Sequence, residues 1–514
     1  MAGTTLAVLL HAAEPMTLVV AERAATGLTW VDLVFPVFLV ALGAAIPLAH
    51  AVRRRSLTQA AGAALRRFAV LVALGVFLTG LTHRGADGDR VGLWLALLGF
   101  AALMPLLLAL PRRRPALRLA GLAVCTVALA MASDRTPQAF SWARHDFLLI
   151  TLAWSALVMS LLYEVTVRLG WLRLLIAGAL AFLAQQSAME PDYRIIGTTP
   201  DPLLMVLRSP RHLLEFSVIN SLLPGHVPPG WLDLGPLYKL GCFAYLLPVA
   251  AGTLIGDIGV RFLQTPRSAY RRLVSAGAEG PRAPHPLMGA GVPLIRDVLV
   301  SVSLLLTVAG ALAGLNGNAN IALPGTTRVL VRPYAAALLV GVPLLSAWLV
   351  VLSEPGAAGV YLRRLLSHAT AWLALGLTLV MLPGGAGGGL EGGARTGWPP
   401  TLSGLTVATG LALVLLTAAA PWLDLRSARS PVAWLLGPLT ALGRNALLAY
   451  AALPLVLAPL LALPLAMAVS IETPQIGALI DAALPGDIWG ALLKAALLVL
   501  PVTLLTRCGV RWRA

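Results

Sequence analysis

The chain has 514 residues, of which 58% are hydrophobic and 12% are charged, whereas a soluble globular domain has about 25% charged residues. Long apolar runs recur from end to end, which excludes an ordinary soluble domain. The net charge of +16 does not indicate nucleic-acid binding, because the basic residues form short clusters between apolar runs with no interleaved aromatic residues. We therefore expect no nucleic-acid partner and take membrane lipids as the surroundings of the chain.

The apolar runs predict an all-α polytopic bundle of about 11–14 transmembrane helices in a single integral membrane domain, residues 1–514. Lipid leaves no water for backbone polar groups, and the runs lack the alternation of a β-barrel strand. The first run is the weakest, since it contains His11 and Glu14-Pro15. The candidate spans lie near 5–21, 28–50, 68–82, 91–110, 119–133, 146–163, 173–187, 237–257, 295–315, 334–352, 367–383, 401–422, 444–468 and 488–505.

The arginines predict the orientation, because cytoplasmic loops carry an excess of Lys and Arg. Alternation of the spans places the Arg clusters of six segments on one side, and we expect a multi-pass protein of the cell (plasma) membrane with both termini cytoplasmic. These clusters are Arg53–Arg55 with Arg66 and Arg67, Arg112–Arg114, Arg267 with Arg271 and Arg272, Arg363 with Arg364, Arg426, Arg429, and Arg507 with Arg511 and Arg513.

Two loops stand out in this topology. Residues 188–236 form a long outer loop, and loops of this length in compact proteins are usually functional or disordered. Residues 258–294 form a basic cytoplasmic loop. The three cysteines have no paired spacing, so neither a disulfide framework nor a metal site is expected.

Three segments carry a family resemblance. The first is GLTWVDLVFPVFLVALGAAIP, residues 27–47; the second is PPTLS, residues 399–403; the third is GRNALLAY, residues 443–450. In this order and at this spacing they resemble the heparan-alpha-glucosaminide N-acetyltransferase-like family of bacterial transmembrane acyltransferases. Between residues 90 and 390 the likeness is mostly one of hydropathy.

The resemblance implies transfer of an acetyl or other acyl group from cytosolic acyl-CoA, a co-substrate, to an extracytoplasmic amino sugar or other envelope glycan or glycolipid. Such a reaction needs a base near the acceptor amine. It implies no metal and leaves a homodimer open.

The candidate catalytic residues are Asp32, Glu22 and His11. The family has a His five residues before the Gly-Leu-Thr turn, where this chain has Glu22, and an Asn eleven residues further upstream, where it has His11. Glu22 is a substitute base, a substrate ligand or an exposed carboxylate beside Arg23. His11 is a base on the neighbouring helix or a hydrogen-bonded packing residue.

Asp32 matches the family position directly and lies about one turn inside an apolar span. A charge in hydrocarbon costs roughly 2.5–3.5 kcal/mol on insertion scales, so such residues usually face the protein interior or a wet cavity. Asp32 therefore orients a base or binds acceptor hydroxyls; the alternative is an ion pair between helices, for example with Arg444 or Lys239.

Asn445 and Arg444 are the candidate cofactor-binding residues. Asn445 either bonds the phosphopantetheine of coenzyme A or bonds a neighbouring helix, and Arg444 either meets a phosphate or marks the interface. Glu164 and Asp257 are predicted to pair with Arg168 and Arg261, four residues on along the same helix.

Two other functions compete with acyl transfer. One is a transporter or flippase of an envelope precursor, with a carboxylate at the membrane midplane. The other is a non-catalytic relative of the acyltransferases that has kept the fold and lost the base.

Overall fold

The computed structural model describes thirteen stretches of the chain, and nearly all of their residues are helical, with no β-strand among them. Within these stretches the predicted all-α membrane bundle is confirmed. The stretches are residues 33–53, 57–85, 90–107, 115–133, 147–167, 169–188, 240–275, 294–315, 328–354, 356–381, 401–423, 437–462 and 487–508.

The helices follow the apolar runs of the sequence and are numbered in chain order. They are α1 (Val34–Arg53), α2 (Leu57–Gly85), α3 (Arg90–Leu107), α4 (Pro115–Ser133), α5 (Phe147–Val165), α6 (Gly170–Ala188), α7 (Leu246–Ser275), α8 (Leu294–Leu315), α9 (Arg328–Leu352), α10 (Gly356–Met381), α11 (Leu402–Leu423), α12 (Gly437–Arg444), α13 (Ala446–Ala452), α14 (Ala458–Ala462) and α15 (Asp487–Arg507). A 3₁₀ turn, Leu240–Tyr245, leads into α7, and a π turn, Leu453–Leu457, joins α13 to α14.

Six helices in the described residues are long and apolar enough to cross a membrane. Their apolar stretches are Val34–Val52, Leu57–Thr79, Leu148–Val165, Cys242–Gln264, Ile295–Leu312 and Leu402–Trp422. Shorter apolar runs lie in α3, α4, α6, α9 and α15 and across α13 and α14. The expected 11–14 spans count these shorter runs as spans too.

Helix α1 lies between two groups of helices. Its residues Val37 and Val40, with Leu33 just before the helix, belong to a buried core shared with α7 to α11. A second core is formed by α2, α3 and α4 with α13 and α15. The side chain of Phe38 packs against both cores, so α1 joins the two groups.

The contact between α1 and α7 is unusually close, because glycines face each other across it. A Cβ atom at Gly43 would overlap the backbone carbonyl of Val249, and one at Gly252 would overlap the carbonyl of Val40. Gly252 and Gly256 are four residues apart, the spacing that lets two membrane helices approach backbone to backbone. This contact fixes α7 against α1.

Two helices extend beyond their predicted spans. Helix α7 continues to Ser275, so the first half of the predicted loop 258–294 is helical, and α2 begins at Leu57 rather than near residue 68. The reason is that hydropathy detects only the apolar part of a helix, whereas backbone hydrogen bonding continues into polar sequence. Residues 276–293 and the predicted outer loop 188–236, apart from its first residue, lie outside the described residues.

The predicted span 444–468 is not one continuous helix. It breaks at Asn445 between α12 and α13 and changes to a π turn at Leu453–Leu457. Pro454 lies in that turn, and proline both lacks an N–H donor and clashes with the carbonyl four residues earlier. The helical hydrogen-bond ladder therefore opens at this point.

Candidate functional site

The first of the three resembling segments forms most of α1, and the other two lie close to it. Leu405, two residues after the PPTLS segment, lies in one buried cluster with Leu39 of α1. The ring of Tyr450, the last residue of the GRNALLAY segment, packs edge-on against Phe38, with ring centroids 6.5 Å apart. Segments separated by hundreds of residues in sequence thus lie beside α1.

In the PPTLS segment, the side chain of Thr401 caps the N-terminus of helix α11. The Oγ1 atom of Thr401 accepts a hydrogen bond from the N–H of Gly404 at 3.1 Å, and the Ser403 hydroxyl lies 3.4 Å from the same oxygen. This is the N-cap arrangement, in which a threonine satisfies a backbone donor of the first turn. The segment therefore fixes where α11 begins beside α1.

Asn445 lies at the break between α12 and α13. Its side chain is buried, with 2% of its surface exposed, and its Nδ2 atom donates to the Thr506 hydroxyl of α15 at 2.6 Å. Thr506 in turn donates to the Val502 carbonyl of its own helix. The alternative predicted for Asn445, a bond to a neighbouring helix, is the contact that the structure contains.

The side chains of the other predicted site residues are outside the part of the chain that the structure describes. Asp32, Glu22 and His11 lie outside the described residues, which begin at Leu33. Arg444 is the last residue of α12, and its side chain also lies outside the description. These residues remain predictions from the sequence.

An ion pair between the buried Arg173 and the partly buried Asp257 joins α6 to α7. The Nη2 atom of Arg173 lies 3.3 Å from Oδ2 of Asp257, and the Tyr163 hydroxyl of α5 donates to Oδ1 of the same carboxylate at 2.9 Å. The guanidinium carbon of Arg173 lies 4.4 Å from the centre of the Tyr163 ring. Tyr163 therefore supports both members of the pair, one through its hydroxyl and one through its ring face.

A second pair lies next to the first. The Nδ1 atom of His50, near the end of α1, is 3.0 Å from Oε1 of Glu164 on α5. The His50 ring also contacts the Tyr163 ring edge-on, at 5.5 Å between centroids. We call these five residues, His50, Tyr163, Glu164, Arg173 and Asp257, the α1–α7 polar network.

The two carboxylates make contacts between helices that were not predicted. Glu164 and Asp257 were expected to pair along their own helices, with Arg168 and Arg261, and Arg168 lies outside the described residues. In the structure Glu164 contacts His50 on another helix and Asp257 contacts Arg173 on another helix. Arg173 went unnoticed in the sequence because it opens an apolar span, where a basic residue ordinarily marks the membrane interface.

Arg173 is the residue of the network with the greatest capacity to bind a ligand. Its side chain is fully buried, yet within the described part of the chain its Nε and Nη1 atoms have no hydrogen-bond partner. Buried polar atoms are nearly always bonded, so each exception needs an explanation.

A further ionic group lies at the start of α8. Arg296 binds Glu354, which follows α9, and its Nη2 atom is 3.5 Å from Oδ1 of Asp297. Here the guanidinium faces two carboxylates, so its charge is already balanced. In the described residues no group of three or more His, Cys, Asp and Glu side chains is arranged to hold a metal ion.

One family comparison gives a match. A family described as "Domain of unknown function (DUF5009)" matches residues 5–200, which is less than half of the chain and extends as far as α6. Four of the five residues of the polar network, all except Asp257, lie in the matched part. No curated protein matches the sequence.

Proposed function

We propose that this membrane protein is a transmembrane acyltransferase. It moves an acetyl or other acyl group from cytosolic acyl-CoA to an amino sugar or other glycan on the far side of the membrane. Asp32, Glu22 and His11 are the residues that we assign to the acceptor side, from the resemblance of the first segment.

The convergence on α1 is the observation that supports this proposal. The first segment forms most of α1, and α1 packs against the third segment through Phe38 and Tyr450. Leu39 of α1 and Leu405, which follows the second segment, belong to one buried cluster. Such proximity is expected if the three segments together form one site. We assign Asn445 to the helix junction, because its amide is buried and donates to Thr506.

The reaction is tested with purified protein, acetyl-CoA and a panel of envelope amino sugars. We expect acetyl-CoA consumption that depends on the acceptor and is lost in Asp32→Asn and Glu22→Gln while the protein stays folded. A carboxylate has a reference pKa near 4.3, about two units below that of His, so it is the weaker base.

The double variant Glu22→His with His11→Asn restores both family residues and serves as the gain-of-function arm. We expect acetyl transfer to appear or to rise in it. A folded wild-type protein and a folded double variant that are both inert on the whole panel would contradict the proposal and favour the non-catalytic relative.

The orientation belongs to the same proposal, since acyl-CoA is cytosolic. With both termini cytoplasmic, a cysteine introduced as His226→Cys reacts with an impermeant thiol reagent added to intact cells, and one introduced as Arg271→Cys does not. Cys508, which is exposed, is removed for this test, and Cys125 and Cys242 are buried. The reverse labelling pattern would contradict the orientation.

A transporter is the second candidate, and one observation favours it. The stretch from α12 to α14 is discontinuous, with a break at Asn445 and a π turn at Leu453–Leu457. Discontinuous helices form the substrate sites of many transporters. Uptake of a labelled envelope precursor into proteoliposomes without any consumption of acyl-CoA would favour this alternative.

A further inference from the structure

Arg173 has hydrogen-bond donors that the described residues leave unsatisfied. A guanidinium carries five N–H donors in a planar fork, and only Nη2 reaches the Asp257 carboxylate. The Nε and Nη1 atoms are buried and unpartnered among the described residues. An unsatisfied buried donor is costly, and more so when it carries a charge. An acceptor from outside the described chain would remove that cost.

The position of Arg173 at the N-terminal end of a helix indicates what kind of ligand would accept its hydrogen bonds. The residue lies in the first turn of α6, and side chains on a helix lean towards its N-terminus. That end of α6 lies beside the ends of α1 and α5, as the contacts of Tyr163 with Arg173 and His50 show. The positive end of a helix dipole and a buried guanidinium together favour an anion.

Basic residues also cluster in the sequence where these helices end. Asp257 pairs with Arg173, and Glu164 faces His50. Along the chain, Arg53, Arg54 and Arg55 stand at the end of α1, and Arg168 stands between α5 and α6. Basic clusters beside membrane helices attract anionic headgroups.

We propose that Arg173 is the anchor of a phosphate-binding site where the ends of α1, α5 and α6 lie beside the middle of α7. Phosphate is the anion whose oxygens match the fork of a guanidinium, which is why arginine is so common in phosphate recognition. Tyr163 and Asp257 act as positioning residues, since they hold the guanidinium in place and leave Nε and Nη1 for the ligand.

Two kinds of molecule carry a phosphate group that would suit this site. One is the headgroup of a membrane phospholipid, which lies at the interface where these helices end. The other is the nucleotide part of acyl-CoA, and only this second source rests on the proposed function.

The soluble source is tested by the affinity of the purified full-length protein for CoA and for adenosine 3′,5′-bisphosphate. The test variant is Arg173→Gln with Asp257→Asn, which removes both charges of the pair and leaves no stranded ion. We expect binding to weaken roughly tenfold or more, because charge-assisted hydrogen bonds are lost. Arg363→Gln, which removes the same charge on α10, is the control and should change affinity less than about twofold.

The lipid source is tested on the same three proteins by native mass spectrometry. We expect the double variant to retain less phospholipid than the wild type and Arg363→Gln if the headgroup is the ligand. Arg173→Lys is the second variant, since it keeps the ion pair and loses the fork. If the double variant weakens CoA binding or phospholipid retention, Arg173→Lys should weaken the same quantity by a smaller factor.

The two arms separate the failure of this site from the failure of the proposed function. Loss of phospholipid with no CoA binding in the wild type supports the phosphate site and removes acyl-CoA as its source. The phosphate site would be overturned by a folded variant, either Arg173→Lys or the double variant, that keeps both the CoA affinity and the phospholipid retention of the wild type.

Discussion

The polar network around Arg173 and the junction at Asn445 are both buried polar contacts between helices, but they differ in how completely their donors are used. The amide of Asn445 reaches the Thr506 hydroxyl, which itself donates to its own helix. Arg173 uses one nitrogen and leaves two buried without a partner among the described residues. The junction is a neutral contact that holds helices together, whereas the network is ionic and has donors left for a ligand.

Asp257→Asn should have the largest effect, because it leaves the buried guanidinium of Arg173 without its counter-charge. Removing one partner of a buried ion pair costs about 3–5 kcal/mol. We expect a large fall in thermal stability in detergent, and a smaller fall when Arg173→Gln is added. A single variant as stable as the wild type would show that the pair is not buried in solution.

Tyr163→Phe tests the support that the hydroxyl gives to the pair. The ring under the guanidinium remains, and the hydrogen bond to a charged carboxylate, worth about 1.5–3 kcal/mol, is lost. The measurement is a double-mutant cycle with Asp257→Asn, and the two effects should not be additive. Strict additivity would mean that the hydroxyl and the carboxylate do not interact.

Thr506→Val examines the junction in the same way. It leaves the buried Nδ2 donor of Asn445 without its acceptor, which costs about 1–3 kcal/mol. Thr503→Val on the same helix is the matched control, because the Thr503 hydroxyl donates to the Val499 carbonyl of its own helix. We expect Thr506→Val to be the less stable variant by about 1 kcal/mol in thermal unfolding; equal stability would assign Asn445 another partner.

Glu164→Gln should have the smallest effect. The His50 side chain is 30% exposed, and the contact with Glu164 is an ion pair only when His50 is protonated, so it is weaker than the pair of Asp257 with the fully buried Arg173. Pairs of this kind contribute about 0–1 kcal/mol. A loss of stability as large as that of Asp257→Asn would mean that Glu164 also balances the charge of the buried Arg173.

The helices could be predicted from the sequence because lipid permits little else. Apolar runs and Arg clusters locate α5, α8 and α11 almost to the residue, since backbone hydrogen bonding in a membrane leaves no alternative to the helix for these runs. The polar end of α7 and the π turn at Pro454 were missed, because neither a polar helix nor a local change of hydrogen-bond register alters hydropathy.

The polar network could not be predicted in the same way. A sequence shows which residues are four apart on one helix, so Glu164 and Asp257 were assigned to Arg168 and Arg261. It does not show that His50, Tyr163 and Arg173 come from three helices that end side by side. The close approach of α1 and α7 at Gly43 and Gly252 helps to bring them together, and glycine contacts of this kind need the three-dimensional packing.

The most direct test of the proposed function is a sided transfer assay in proteoliposomes. Acetyl-CoA labelled on the acetyl group is added to the compartment that contains Cys508, as located by an impermeant thiol reagent, and an amino sugar is enclosed in the other compartment. The proposal predicts labelled acetyl amino sugar across the membrane, and none when the two substrates are exchanged. No transfer in either arrangement, by a folded protein of uniform orientation, would contradict it.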